Sequence, residues 1–208
     1  MQFSKSFKTP IIFVVSSILI YYSFAYNLER TEYAKLISLY LILFFFFYKI
    51  VRLELISTKV LMWLSFGFRV IFLFAIPNLS QDFYRFIWDG RMILEGFNPY
   101  LHTPEFFISE MYFPVNQAQI LYDGMGVLNG SHFTNYPPLN QLCFVIVNFF
   151  SKHSILGSII GLRFLIIAAD YGTLFFGKKL LERLKLPEKN IFLYLLNPFI
   201  IIELTGNL

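Results

Sequence analysis

Apolar residues recur along the chain in blocks that approach the length of a bilayer, and one interval between them is dense in charge and aromatic rings. A helix needs about 20 mainly apolar residues to cross the hydrocarbon core. Candidate spans are residues 10–26, 34–50, 60–76, 155–176 and 191–204; a shorter one, 139–150, carries Asn140, Gln141 and Asn148. The pattern predicts an all-α fold, a polytopic transmembrane bundle of five or six helices forming a single membrane domain over 1–208. A long external loop, 77–137, should bear short interfacial helices. Within it, 78–96 reads as a helix. Asn78 or Ser80 can cap its start, Gly96 suits the left-handed position that ends it, and Asn98-Pro99 follows as a breaker. At 3.6 residues per turn Asp82, Arg85, Phe86 and Asp89 share one side, and Tyr84, Trp88, Arg91 and Glu95 an adjacent one. Phe83, Ile87 and Leu94 supply apolar contact, as in a helix lying along the outer interface.

Orientation follows the lysines and arginines of short loops. Lys5 and Lys8 put the N-terminus in the cytoplasm, as do Lys49, Arg52 and Lys59 for the loop after the second span. Residues 77–137 then face outward; there two arginines meet six carboxylates, a net of −4. The basic loop 178–189, with five Lys or Arg, obeys the same rule only if 139–150 does not fully cross. A dipping or bent helix is allowed where protein shields its backbone.

Composition narrows the class further. The chain is 57% hydrophobic and 14% charged, against about a quarter charged in a soluble domain. Apolar runs recur to the last residue, so a secretory signal alone does not account for them. A lone cysteine, Cys143, excludes an intrachain disulfide and a multi-cysteine metal site. His102, His132 and His153 have no helical partner, which argues against haem or a helix-borne zinc. The net charge of +4 is spread between apolar segments, a topology signal rather than a nucleic-acid stripe.

The densest chemistry lies at 82–91. Asp82, near a helix N-terminus, is favoured in its ionised form by the helix dipole, as a general base requires. Arg85 and Arg91 offer forked guanidinium groups for a phosphate, and Tyr84 and Trp88 can stack on a sugar or a lipid head. The competing reading is a solvated ladder of Asp82, Arg85 and Asp89, each pair contributing under about 1 kcal/mol. Asp82 and Asp89 could also share a hard divalent cation; no cofactor is established. No glycine-rich nucleotide loop is present. Arg163 and Asp170 return to one helix face, roughly 10 Å apart along the axis. With Arg69 they form either a structural tie or the polar path of a transporter or flippase. Glu203 and Asn207, after Asn197-Pro198, are candidates to line a site. Tyr136 precedes Pro137-Pro138, a stiff start for a helix.

These residues carry a resemblance. The stretch DFYRFIWDGR from Asp82, followed by GFNPY from Gly96 to Tyr100, is similar to the first external loop of GT-C glycosyltransferases. It most resembles the bacterial and archaeal polyprenyl-phosphate-mannose-dependent mannosyltransferases. NYPPL from Asn135 and LNPFIIIELTGN from Leu196 agree with it. The resemblance implies an enzyme that passes a sugar, mannose by this likeness, from a polyprenyl phosphate to a glycan or lipid acceptor on the outer face of the cytoplasmic membrane. It implies Asp82 as base and Asp89 as a second acid that positions substrate. Tyr84, Arg85, Trp88, Arg91, Tyr136, Glu203 and Asn207 would contact substrate, and membrane lipid but no nucleic acid would be a partner. Such enzymes usually have about ten helices or more, so this chain reads as their N-terminal portion. The remaining alternative is a non-catalytic membrane subunit docking a partner through the acidic loop.

Overall fold

The computed structural model describes residues 8–208, so Lys5 lies outside the described residues. Every regular element among them is helical: α1 (Lys8–Tyr26), α2 (Tyr33–Arg52), α3 (Thr58–Val70), α4 (Asp82–Leu94), α5 (Pro104–Ser109), α6 (Ala118–Gly130), α7 (Pro138–Ser151) and α8 (Ile155–Arg183). A 3-10 turn (Glu188–Ile191), the short helix α9 (Phe192–Leu195) and a π-helix (Ile200–Gly206) follow. The all-α expectation therefore holds. Among the described residues α1, α2 and α8, of 19, 20 and 29 residues, are long and apolar enough to cross a membrane, and the chain is a membrane protein.

Two of the expected spans are broken. The third candidate, 60–76, leaves the α-helix at Val70 and tightens into turns in which Phe72, Leu73 and Ala75 donate to the carbonyls three residues earlier. The last, 191–204, is interrupted at Asn197-Pro198, where proline has no N–H to give. The Asn197 side-chain oxygen accepts the Phe199 N–H at 2.9 Å, and the backbone resumes as the wider π-helix. The helix α7 has 14 residues, about 21 Å at 1.5 Å per residue, short of the roughly 30 Å hydrocarbon core.

The chain divides into two compact units: residues up to Leu79 with Ile166–Gly206, and Ser80–Leu165 with Asn207 and Leu208. In the first, α1 packs on α2, and both α1 and α3 meet the π-helix. Its core centres on Tyr21, Phe24, Leu43, Leu61, Phe68 and Leu195. Ile11, Leu19, Ile37, Leu41 and Phe45 face outward, as expected of spans apolar on all sides. Asn78 does not cap a helix here; its amide donates to the Leu28 carbonyl.

In the second unit α4 packs against α6 and α7. It is the buried central helix of this unit. Phe83, Ile87, Trp88 and Met92 are each at most 1% exposed and form a core with Leu121, Met125 and Ile159. The sequence pattern put Trp88 on a polar side; packing on two neighbours buries most of the circumference of α4. Gly90 permits this approach, since a Cβ there would lie 2.6 Å from both the Asn148 amide nitrogen and the Phe144 carbonyl oxygen. The Ser80 hydroxyl accepts the Asp82 N–H at 3.2 Å, so Ser80 serves the start of α4. At the other end Gly96 takes φ 85°, with Phe97 N–H donating to Met92 and Gly96 N–H to Ile93. That is the Schellman pattern expected of a glycine stop.

Candidate functional site

The first two turns of α4, the end of α6 and the segment leading into α7 line an open cavity of about 700 Å³. Asp82, Arg85, Asn129, His132, Thr134 and Tyr136 line it. Asp82 is half-buried, and its Oδ1 accepts the Asn129 side-chain N–H at 2.9 Å. That bond fixes one carboxylate oxygen, and the other accepts no hydrogen bond among the described residues. Arg85 is only 4% exposed. Its Nη1 donates to the carbonyls of Asn129 and His132, each at 2.8 Å, and its Nε to Asp89 Oδ1 at 2.8 Å. Its Nη2 has no acceptor among the described residues. The guanidinium is thus anchored on three bonds with donor capacity left over.

Asp89 is fully buried. Arg85 occupies its Oδ1, and the Gln141 amide donates to Oδ2 at 3.0 Å while also reaching Thr134 at 3.2 Å. The solvated-ladder reading therefore fails for Arg85 and Asp89, whose side chains are 5% and 0% exposed. A shared cation would have to displace both partners of Asp89, and Asp82 is the acid that lines open volume. Tyr136 is half-buried, with its ring edge-on to Phe86 and Phe144. Burial first, then the nearby Asp82 and Asp89 charges, push its phenol up to about 12, so at neutral pH it is a proton-bearing donor. Pro138 opens α7, as expected.

The other candidates lie elsewhere. Tyr84 lies tilted against Phe83, with ring centroids 4.0 Å apart, and fills the space left by Gly124. Trp88 is 1% exposed and has no free face for a sugar. Arg91 donates through Nη1 to the Asn116 carbonyl at 2.8 Å and to Gln117 Oε1 at 3.2 Å; it does not line the Asp82 cavity. Glu203 belongs to the first unit, where its carboxylate accepts from the Tyr40 hydroxyl. Asn207 is buried and belongs to the second.

Sequence reasoning missed Asn129 and gave Gln141 no site role. Asn129 lies in the last turn of α6, next to Gly130, where a nearby helix stop is a sufficient reading of asparagine; only the fold carries it to Asp82.

In the first unit, the acid Asp170 pairs with Arg69, 101 residues earlier, through Arg69 Nε at 2.7 Å. Arg69 Nη1 also donates to the Ser65 and Leu195 carbonyls, each at 2.7 Å. Arg69 is 0% and Asp170 3% exposed. This is a tie joining α3, α8 and the segment around α9, the arrangement of a structural ion pair rather than of an open polar path.

A family model described as MptA_B_family, Alpha-(1->6)-mannopyranosyltransferase, N-terminal domain, matches residues 26–208. No curated protein and no solved structure matches the chain.

Proposed function

Because the chain belongs to the MptA_B family of alpha-(1->6)-mannopyranosyltransferases, and so to the glycosyltransferases, we propose that it draws mannose from a polyprenyl phosphate. The Asp82 cavity is the place of transfer in this reading. The acceptor hydroxyl attacks the anomeric carbon, and its proton passes to the open oxygen of Asp82. The bond from that carbon to the phosphate oxygen breaks, and the electron pair leaves with the polyprenyl phosphate. Arg85, with its uncommitted Nη2, faces the negative charge that grows on the leaving phosphate. Asn129 is a positioning residue that holds Asp82, and Asp89 with Gln141 positions Arg85. Tyr136 donates a hydrogen bond to a sugar or phosphate oxygen. Asn207, which belongs to the same unit, remains a candidate substrate contact.

The observation that supports this reading is the convergence on one cavity of a half-exposed carboxylate, a guanidinium with spare donors and a neutral phenol. In this reading residues 77–137 face outward from the cytoplasmic membrane, which the lysines and arginines flanking α1 to α3 and the scarcity of basic residues in 77–137 support. A lipid-linked donor suits that face, where nucleotide sugars are not at hand. The test offers membranes containing the full protein either polyprenyl-phosphate mannose or a nucleotide-linked mannose. Product from the lipid donor alone is expected. Transfer from the nucleotide donor, in membranes unable to make the lipid form, would overturn the proposed donor.

A further inference from the structure

We infer that the second unit carries another binding pocket, on the far side of α4 from Asp82, that takes a phosphate group. Asp82 and Arg91 are nine residues apart, which turns them to opposite sides of the helix and separates them by about 13 Å along its axis. Arg91 opens on a cavity of about 330 Å³ whose wall includes Leu94, Glu95, Asn148, Phe149, Lys152 and His153. None of these lines the Asp82 cavity.

Three observations assign the ligand. Arg91 is only 4% exposed, yet its Nε and Nη2 have no acceptor among the described residues. Both of its satisfied bonds leave from Nη1. A guanidinium presents five N–H donors and no acceptor, so this one is built to receive an oxygen-rich anion, and a forked match to phosphate is its characteristic use. A second cation, the exposed Lys152, stands on the same wall with a positive φ of 54° and ψ −110°. A non-glycine residue held there is a strained position of the kind that clusters at ligand sites. Finally, the rim is amphipathic. Phe149 and Leu94 are 64% and 41% exposed beside the two cations, which suits a phosphate attached to an apolar body as well as a free one. Glu95 is the opposing charge on the wall, and its carboxylate weakens anion binding. The pocket stands independently of the transfer reading, since no step of that reaction uses it.

The full protein in neutral detergent is titrated with inorganic phosphate by calorimetry. In parallel, its retention of phosphatidylglycerol against phosphatidylcholine is read by native mass spectrometry. Lys152→Gln and Glu95→Gln alter exposed side chains, so folding is not at stake. Lys152→Gln is expected to weaken binding about tenfold, the lower range for losing a charge-assisted hydrogen bond. Glu95→Gln is expected to tighten it by about threefold, the scale of an exposed charge. Asp82→Asn leaves it unchanged. Charge-dependent binding of the phosphatidylglycerol alone identifies a lipid headgroup; the same response to inorganic phosphate identifies a free anion. Absence of binding in both arms overturns the inference, as does binding indifferent to both substitutions, which would put the ion on Arg85 or elsewhere.

Discussion

Asp170→Asn distinguishes a structural tie from a transport path. Arg69 is 0% exposed and is fixed by one carboxylate and two carbonyls, all at 2.7 Å. Neutralising Asp170 leaves the guanidinium buried with neutral dipoles as its only acceptors. Removing one partner of a buried ion pair costs about 3–5 kcal/mol, and hydrocarbon offers no water to compensate. Against a total stability of about 5–15 kcal/mol, that is a large share. At roughly 2–4 °C per kcal/mol for a chain of this size, Asp170→Asn should lower the melting midpoint by about 6–20 °C, followed by tryptophan fluorescence in a fixed detergent. Removing both charges is expected to be much milder, because an apolar pair of similar volume avoids the desolvation cost altogether. Arg69→Met with Asp170→Leu should therefore recover most of the loss. The reasoning fails if Asp170→Asn melts with the parent protein, or if the double variant is as unstable as the single one. An unaltered midpoint together with blocked flux of a substrate would restore the transporter reading.

Gly90→Ala places a methyl group 2.6 Å from the Phe144 carbonyl oxygen and the Asn148 amide; separating α4 from α7 should cost about 1–3 kcal/mol, read as a lowered melting midpoint. Asn129→Ala removes the bond that orients Asp82 and, at about 1.5–3 kcal/mol for a hydrogen bond to a charged group, should slow mannosyl transfer about 10- to 100-fold with little change in melting. Tyr136 has a folded phenol pushed up to about 12 from 10.0; a raised value favours the protonated fold, so its contribution to stability is complete below pH 10 and fades as pH rises through about 12. The phenolate absorbance of the parent minus that of Tyr136→Phe should therefore titrate near 12, and a midpoint at 10 would contradict the burial and charge assigned to it.

What was legible in the sequence was local. Continuous apolar length identified α1, α2 and α8 because a span is specified by its own composition. The Gly96 stop was readable because a glycine ahead of Asn98-Pro99 has few other uses. Most of the rest is tertiary. Helical period puts Trp88 and Arg85 on polar sides of 78–96, and period cannot reveal that α4 is covered by both α6 and α7. A structural tie among Arg69, Arg163 and Asp170 is one of the two readings the sequence allows, but only the fold shows that Asp170 pairs with Arg69, 101 residues away. The break at Asn197-Pro198 was visible, yet the apolar count from 191 to 204 outweighed it, although proline's missing N–H was the stronger signal. In the candidate site, Asp82, Arg85 and Tyr136 were named from the sequence and do line one cavity. Asn129 was not, since an asparagine before Gly130 reads first as a helix end.

The central claim is that Asp82 is the base of the Asp82 cavity. The most direct measurement is mannosyl transfer from polyprenyl-phosphate mannose by the full protein carrying Asp82→Asn, with melting followed in parallel. The account predicts an unchanged melting midpoint and a rate reduced by about 10²–10⁴-fold, the range for loss of a general base. Transfer at the parent rate by that variant would contradict it.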